Sequence, residues 1–234
     1  MLRNEDSDVG NMKINVVFFD LGGVLVDVHE ANLLDNFQKL AHSDPERVQA
    51  ILARLKNDAE EFQRGHFERK DFYKKALAAF NCGFDFNSFN TAYTDMFDLK
   101  YDVVEIAQKL SRQTRISLIS NTDELHYEYI LEKYPELFIF EQPTTSFQVH
   151  SLKPEPAIYR SALSKLGIEA QQALFIDDKP ENIAGANAVG MPGILFTNAE
   201  NLILELNQYN FLLNNLGFYS THETHKINER NQHG

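Results

Sequence analysis

Four short stretches, far apart in the chain, carry side chains capable of chemistry. The first is Val16-Val17-Phe18-Phe19-Asp20-Leu21-Gly22-Gly23-Val24-Leu25-Val26-Asp27, an apolar run that ends in a carboxylate followed by two glycines. The others are Ile119-Ser120-Asn121-Thr122, then Ser151-Leu152-Lys153-Pro154, then Phe175-Ile176-Asp177-Asp178-Lys179-Pro180-Glu181-Asn182. Each has an ordinary structural reading: Asp20 can cap a turn, Ser120 and Thr122 can cap a helix, and Lys153 can be solvated. Asp177 and Asp178 are harder to account for in that way. Neighbouring carboxylates where a buried strand emerges are costly unless positive charge lies between them. The simplest such charge is a divalent cation with oxygen ligands.

Most of these groups fall where a strand should end. Residues 16–19 are β-branched and aromatic without interruption, the pattern of a strand buried on both faces. Segments 116–120, 173–177 and 193–197 read as further strands. Helical patterns alternate with them at 103–110, 123–133, 157–166 (closed by Gly167), 182–189 and 202–213. Such alternation predicts an α/β fold, a doubly wound, Rossmann-like parallel sheet with helices on both faces. Ligands of such sheets bind beyond the carboxyl ends of the strands, which is where Asp20, Ser120 and Asp177 fall. Segments 138–140 and 144–147 are short β candidates.

Between His29 and Leu99 no segment has the pattern of a parallel strand. Leu33, Leu34, Phe37 and Leu40 form one helical stripe; Val48, Ile51, Leu52 and Leu55 form another, after the start signal Ser43-Asp44-Pro45-Glu46. Phe72, Ala76, Leu77 and Phe80 form a third, stopped by Asn81-Cys82-Gly83, and Phe86, Phe89, Tyr93, Met96 and Phe97 a fourth. The expected division is a discontinuous α/β core over 13–28 and 99–216, an inserted small all-helical cap over 29–98, and loose tails over 1–12 and 217–234. Within the cap, Phe62, Phe67, Phe72, Tyr73 and Tyr93 read as its own core. His222 and His225 read as part of a solvated tail rather than as metal ligands.

The chain of 234 residues carries a formal net charge of −12, which repels nucleic acid and anionic membranes. Its single cysteine, Cys82, excludes an internal disulfide and suits a reducing compartment. No apolar run approaches the roughly 18 residues of a membrane span, and residues 1–12 lack the apolar segment of a secretory signal. A cytoplasmic protein with neither a nucleic-acid nor a membrane partner is expected.

In order along the chain, Phe19-Asp20-Leu21-Gly22-Gly23-Val24-Leu25, Ser120-Asn121-Thr122, Lys153-Pro154, and Ile176-Asp177-Asp178 with Gly185-Ala186-Asn187-Ala188-Val189-Gly190-Met191 resemble the four motifs of the haloacid dehalogenase superfamily of phosphohydrolases. The resemblance spans about residues 14–200, and the insertion is similar to the helical cap of one large branch. It implies that Asp20 is a nucleophile forming an aspartyl-phosphate on a small phosphorylated metabolite. It implies Mg²⁺ held by Asp20, the Gly22 carbonyl and Asp177 or Asp178, with the other of the pair acting through water. Ser120 and the backbone after it, at Asn121, would hold phosphoryl oxygens, and Lys153 would offset charge on nucleophile and phosphate. Elementary electrostatics agrees, because at an effective dielectric near 20 each pair of like charges about 4 Å apart costs roughly 4 kcal/mol.

One position departs from the pattern. Most phosphatases of the superfamily place a second aspartate, the general acid, where this chain has Gly22. A positioned acid contributes about 10²–10⁴-fold, so its loss implies a preference for acidic leaving groups such as anomeric sugar, aryl or acyl phosphates. A branch with the same Asp-Leu-Gly start, similar to α-D-glucose-1-phosphate phosphatase, fits that preference. Asp27 and His29 are candidates to replace the acid, against turn and surface roles for each. Two rival readings remain: a non-catalytic phospho-ligand-binding protein, and a 2-haloacid dehalogenase, which would lack the acidic pair present here.

Overall fold

The computed structural model describes residues 13–213. The expected tails, with His222 and His225, and the last three residues of the expected core, 214–216, lie outside the described residues. In chain order the elements are β1 (Val16–Phe19), β2 (Val26–Val28), α1 (Glu30–Ala41), α2 (Pro45–Gln63), α3 (Arg69–Phe80), α4 (Phe86–Thr94) and β3 (Phe97–Leu99). They continue with α5 (Tyr101–Leu110), β4 (Arg115–Ser120), α6 (Glu124–Lys133), β5 (Thr144–Thr145), α7 (Ser146–Val149) and α8 (Pro156–Leu166). Last come β6 (Ala173–Asp177), α9 (Pro180–Ala188), β7 (Gly193–Leu195) and α10 (Ala199–Gln208).

The sheet is parallel throughout, in the order β5-β4-β1-β6-β7. β1 lies at its centre because all four of its side chains are apolar and can be buried on both faces. The pleat sends them to opposite sides. Val17 and Phe19 pack with Ile106, Leu110 and Leu206 from α5 and α10, while Val16 and Phe18 pack with Ile158, Tyr159 and Ala186 from α8 and α9. Helices therefore cover both faces, the doubly wound arrangement expected. Among the described residues no helix is long and apolar enough to cross a membrane.

Helices α1 to α4 are inserted between β2 and β3 and pack around their own aromatic cluster, to which α6 adds Leu125. Phe37 stacks on Phe80 at 5.0 Å, Phe62 on Phe72 at 4.7 Å and Phe89 on Tyr93 at 5.6 Å between ring centroids. Asp44 caps α2 by accepting the Arg47 N–H, with Pro45 in the first turn, and Asn81 stops α3 in the left-handed conformation. Of the five aromatic residues assigned to this core, Phe62, Phe72 and Tyr93 are buried, and Phe67 and Tyr73 pack at its edge.

Several local expectations are corrected. The helical reading of 29–99 misses β3, which pairs antiparallel with β2 through Val26↔Leu99, Asp27↔Asp98 and Val28↔Phe97. α4 stops at Thr94, and Phe97 continues into that ribbon instead of extending the stripe. Segment 138–140 is not a strand: Pro135–Ile139 is a 3₁₀ turn that buries Leu137 and Phe140, three apart, and exposes Phe138. Segment 144–147 divides into β5 and the single turn of α7. The last helix begins at Ala199, where the Asn198 side chain accepts the Asn201 N–H, and ends at Gln208 rather than at 213.

Candidate active site

The register of the sheet builds the site. Phe19 on β1 faces Ile176 on β6, so the next residue on each strand places Asp20 beside Asp177, and the Asp20 N–H donates to the Ile176 carbonyl at 2.8 Å. Asp178 follows directly. Carboxylate oxygens of Asp20, Asp177 and Asp178 lie within 4.8 Å of one another, the one such group of potential metal ligands among the described residues. Lys153, its side chain 1% exposed, sits between two of them, with Nζ 2.6 Å from Asp20 Oδ1 and 2.7 Å from Asp177 Oδ2.

The acidic pair is not symmetrical. Asp177 has partners on both oxygens: the Lys179 N–H on Oδ1 (2.9 Å), Lys153 on Oδ2, and the Asn182 amide on each (2.9 and 3.0 Å). Asp178 Oδ1 is buried with no hydrogen-bond partner. A buried carboxylate oxygen without a donor is costly. Gly23 makes room for this side chain: at φ +85° a Cβ there would stand 2.4 Å from Asp178 Oδ2. Burial, the dominant influence, pushes the Asp20 carboxyl up to about 7; Lys153 opposes this and Asp177 reinforces it. One lysine is thus too little charge to hold the Asp20 carboxyl in its ordinary range. An oxygen-ligated divalent cation fits this set, since it would give Asp178 Oδ1 a partner and restore the Asp20 anion.

The crevice over these acids has a volume of about 210 Å³ and is lined by Asp20, Gly22, Asn121, Lys153, Asp178 and Lys179 among others. Ser120 is buried as the last residue of β4. The Asn121 side chain is committed elsewhere: its amide donates to the Lys153 carbonyl at 3.0 Å, and its Oδ1 accepts the Lys153 N–H at 2.7 Å. These two bonds clamp the backbone of Lys153. Gly185 lets α9 press on the same loop, because a Cβ there would lie 2.7 Å from the Pro154 carbonyl oxygen.

Asp27 and His29 are not brought into this crevice. Asp27 pairs with Lys100 at 2.8 Å and His29 with Asp98 at 3.0 Å on the β2–β3 ribbon. Sequence reasoning missed Asn182 and Lys179, though both lie in the acidic fourth stretch, and it missed the Asn121 clamp, which joins residues 32 apart. A second crevice, of about 460 Å³, runs between α2 and the Lys153 loop, with Lys56, Glu60, Gln63 and Arg64 on one wall and Leu152 and Glu155 on the other. It shares Lys153 with the first crevice, and Arg64 spans it to Glu155 at 2.8 Å.

Comparison with known proteins points the same way. The family model of the haloacid dehalogenase-like hydrolases matches residues 14–190. A HAD family enzyme from Bacteroides thetaiotaomicron superposes with a TM-score of 0.74 at 20% identity, over 82% of this chain and 98% of that one. Its complex with magnesium and inorganic phosphate superposes at 0.70 and 20% identity, over 79% and 94%. Drimenol cyclase drtB of Aspergillus calidoustus is 23% identical over 145 residues, 58% of this chain. Flavin mononucleotide hydrolase 1 of Arabidopsis thaliana is 41% identical over 54 residues, 23% of this chain. The matches span only 27% and 22% of those two relatives.

Proposed function

The chain belongs to the haloacid dehalogenase-like hydrolases, and from that premise we propose that it is a Mg²⁺-dependent phosphomonoester hydrolase working through an aspartyl-phosphate on Asp20. The observation that carries this reading is the buried group Asp20, Asp177 and Asp178 around Lys153, with one oxygen of Asp178 left without a donor. Asp20, the Gly22 carbonyl and Asp178 would hold the ion directly. Asp177, its oxygens already engaged, orients Lys153 and Asn182. When bound, the ion supplies Lewis-acid charge that draws a phosphate dianion toward the three acids.

The chain's own groups account for the remainder. A carboxylate oxygen of Asp20 forms the bond to phosphorus while the ester oxygen leaves with its electron pair, and water later cleaves the acyl phosphate and regenerates the carboxylate. Lys153 holds Asp20 in place and offsets charge on the transferring group. Ser120 and the backbone at Asn121 bind phosphoryl oxygens, at the end of the strand next to β1. The rest of the substrate lies in the outer crevice, whose walls of Lys56, Glu60 and Gln63 favour a hydrophilic leaving group such as a sugar over an apolar one.

The acids lining the crevice, Asp20 and Asp178, are assigned to the nucleophile and the ion, so none replaces the acid missing at Gly22, and leaving groups of low pKa should react fastest. The same gap favours a second reading, a phospho-ligand-binding protein without turnover. The acidic pair speaks against dehalogenation at carbon. Hydrolysis of p-nitrophenyl phosphate with Mg²⁺, set against a chelator control and against phosphate esters of graded leaving-group pKa, tests the proposal. Turnover that is lost with the chelator and steepens as leaving groups grow more acidic is expected. Undiminished turnover in chelator would refute the metal reading, and binding without turnover would favour the second one.

A further inference from the structure

Beside the crevice lies a buried ion pair that the reaction above does not use. Asp123, fully buried, caps α6 by accepting the His126 N–H on Oδ1 at 3.0 Å. Its Oδ2 accepts from the Tyr93 hydroxyl at 2.9 Å and lies 2.7 Å from His126 Nδ1. The other imidazole nitrogen, Nε2, lies 3.0 Å from the Tyr93 carbonyl oxygen. Both ring nitrogens thus face acceptors, and only the doubly protonated imidazolium can donate to both. Although burial opposes charge on each partner, Asp123 holds the His126 imidazole above its ordinary range and His126 holds the Asp123 carboxyl below its own.

The pair joins the inserted helices to the sheet. Tyr93 lies in the last turn of α4, whose carbonyls lack intrahelical donors, and a cation is favoured at that helix end. One imidazolium–carboxylate pair therefore stops α4 and starts α6. From Asp123 the contacts run on to the reaction centre. Ser146 Oγ fixes Thr122 by accepting its N–H and donating to its carbonyl, both at 3.0 Å; Asn121 clamps Lys153, and Lys153 holds Asp20.

We propose that Tyr93, Asp123 and His126 are positioning residues that lock the inserted helices onto the loop 120–123 and so set the placement of Asn121 and Lys153. When the imidazole gives up a proton, either Asp123 or the Tyr93 carbonyl loses its donor where Asp123 is fully buried and the His126 side chain is only 12% exposed, and α4 and the loop loosen together. The other groups at this seam are the Phe97 ring from β3, perpendicular to the imidazole at 5.1 Å between centroids, the Asp95, Tyr129 and Lys133 cluster, and Arg69 of α3, which pairs with Glu124 and Glu128 of α6. The consequence for turnover rests on the phosphatase reading; the coupling itself does not.

The test uses the full chain as wild type, as Tyr93→Phe, and as the double variant Asp123→Asn/His126→Gln, which leaves neither charge alone in the interior. With p-nitrophenyl phosphate and Mg²⁺, kcat/KM of the wild type should fall on the alkaline side. In the double variant that fall should vanish and kcat should drop about 10–100-fold, the size expected of a small misplacement. Tyr93→Phe should lower kcat by a smaller factor with the alkaline fall retained. Hydrogen exchange, corrected for intrinsic rates, should speed up together in 86–97 and 120–126 by about tenfold or more in the double variant. An alkaline fall unchanged in the double variant, or exchange that changes in only one segment or in neither, would overturn the proposal. A wild type that turns nothing over yet shows coupled exchange would defeat the phosphatase reading and leave this coupling standing.

Discussion

Phe89 and Asp20 are both enclosed by protein, at 0% and 6% exposure, yet their surroundings oppose each other. Around Phe89 six aromatic rings gather: Phe37, Phe72, Tyr73, Phe84, Phe86 and Tyr93 have ring centroids 5.4 to 6.3 Å away. Around Asp20 burial acts against the ionised form, and two further acids crowd in. The aromatic cluster holds the inserted helices together, whereas the acidic crevice stores unfavourable energy that a bound cation and substrate can relieve. Buried groups thus divide into those that stabilise the fold and those the fold must support.

Substitutions that separate these two roles come first. Asp20→Asn should abolish the chemistry, lowering p-nitrophenyl phosphate turnover by at least about 10³-fold, while raising the melting temperature measured in chelator. A fall in both would mean that Asp20 is a stabilising group after all. Phe89→Ala should do the reverse, costing about 3–5 kcal/mol of stability, or roughly 10 °C in Tm, with turnover per folded molecule at low temperature retained.

A smaller effect is expected at Gly23, where an added methyl would collide with Asp178. Gly23→Ala should weaken Mg²⁺ activation by about 10–100-fold, read from metal titrations of activity, with little change in Asp20 reactivity at saturating metal. The smallest effect concerns the Asp123–His126 pair. Asp123, lowered in the folded state, contributes stability above its unfolded pKa that is lost as pH falls through the native one; His126, raised, contributes stability below its unfolded pKa that is lost as pH rises through the native one. Denaturant melts across pH should show both flanks, and Asp123→Asn/His126→Gln should flatten them.

The sheet was legible in the sequence for the same reason that its strands are central. β1 and β6 are buried on both faces, so apolar runs mark them and their ends mark the acids, while Ser117 interrupts the run of β4. The β2–β3 ribbon was not legible, because three residues with Asp27 and Val28 exposed show neither an apolar run nor a full alternation. At the site, residue types and order indicated which groups would meet. They did not indicate what each oxygen would bond to: the engaged state of Asp177 and the open one of Asp178 depend on Asn182 and Lys179 folding back at the start of α9. Tyr93 looked like one more aromatic in the insertion, since its bond to Asp123 crosses 30 residues.

The β2–β3 ribbon has one more effect. The chain enters the inserted helices after Val26–Val28 and comes back through Phe97–Leu99, two strands hydrogen-bonded side by side apart from the main sheet, so a long excursion meets the α/β core as though it were a single hairpin. A different helical module grafted at Val28 and Phe97 would keep the register of β1 with β6, but to keep Lys153 on Asp20 it would have to bring the contact that Tyr93 makes with Asp123 and His126.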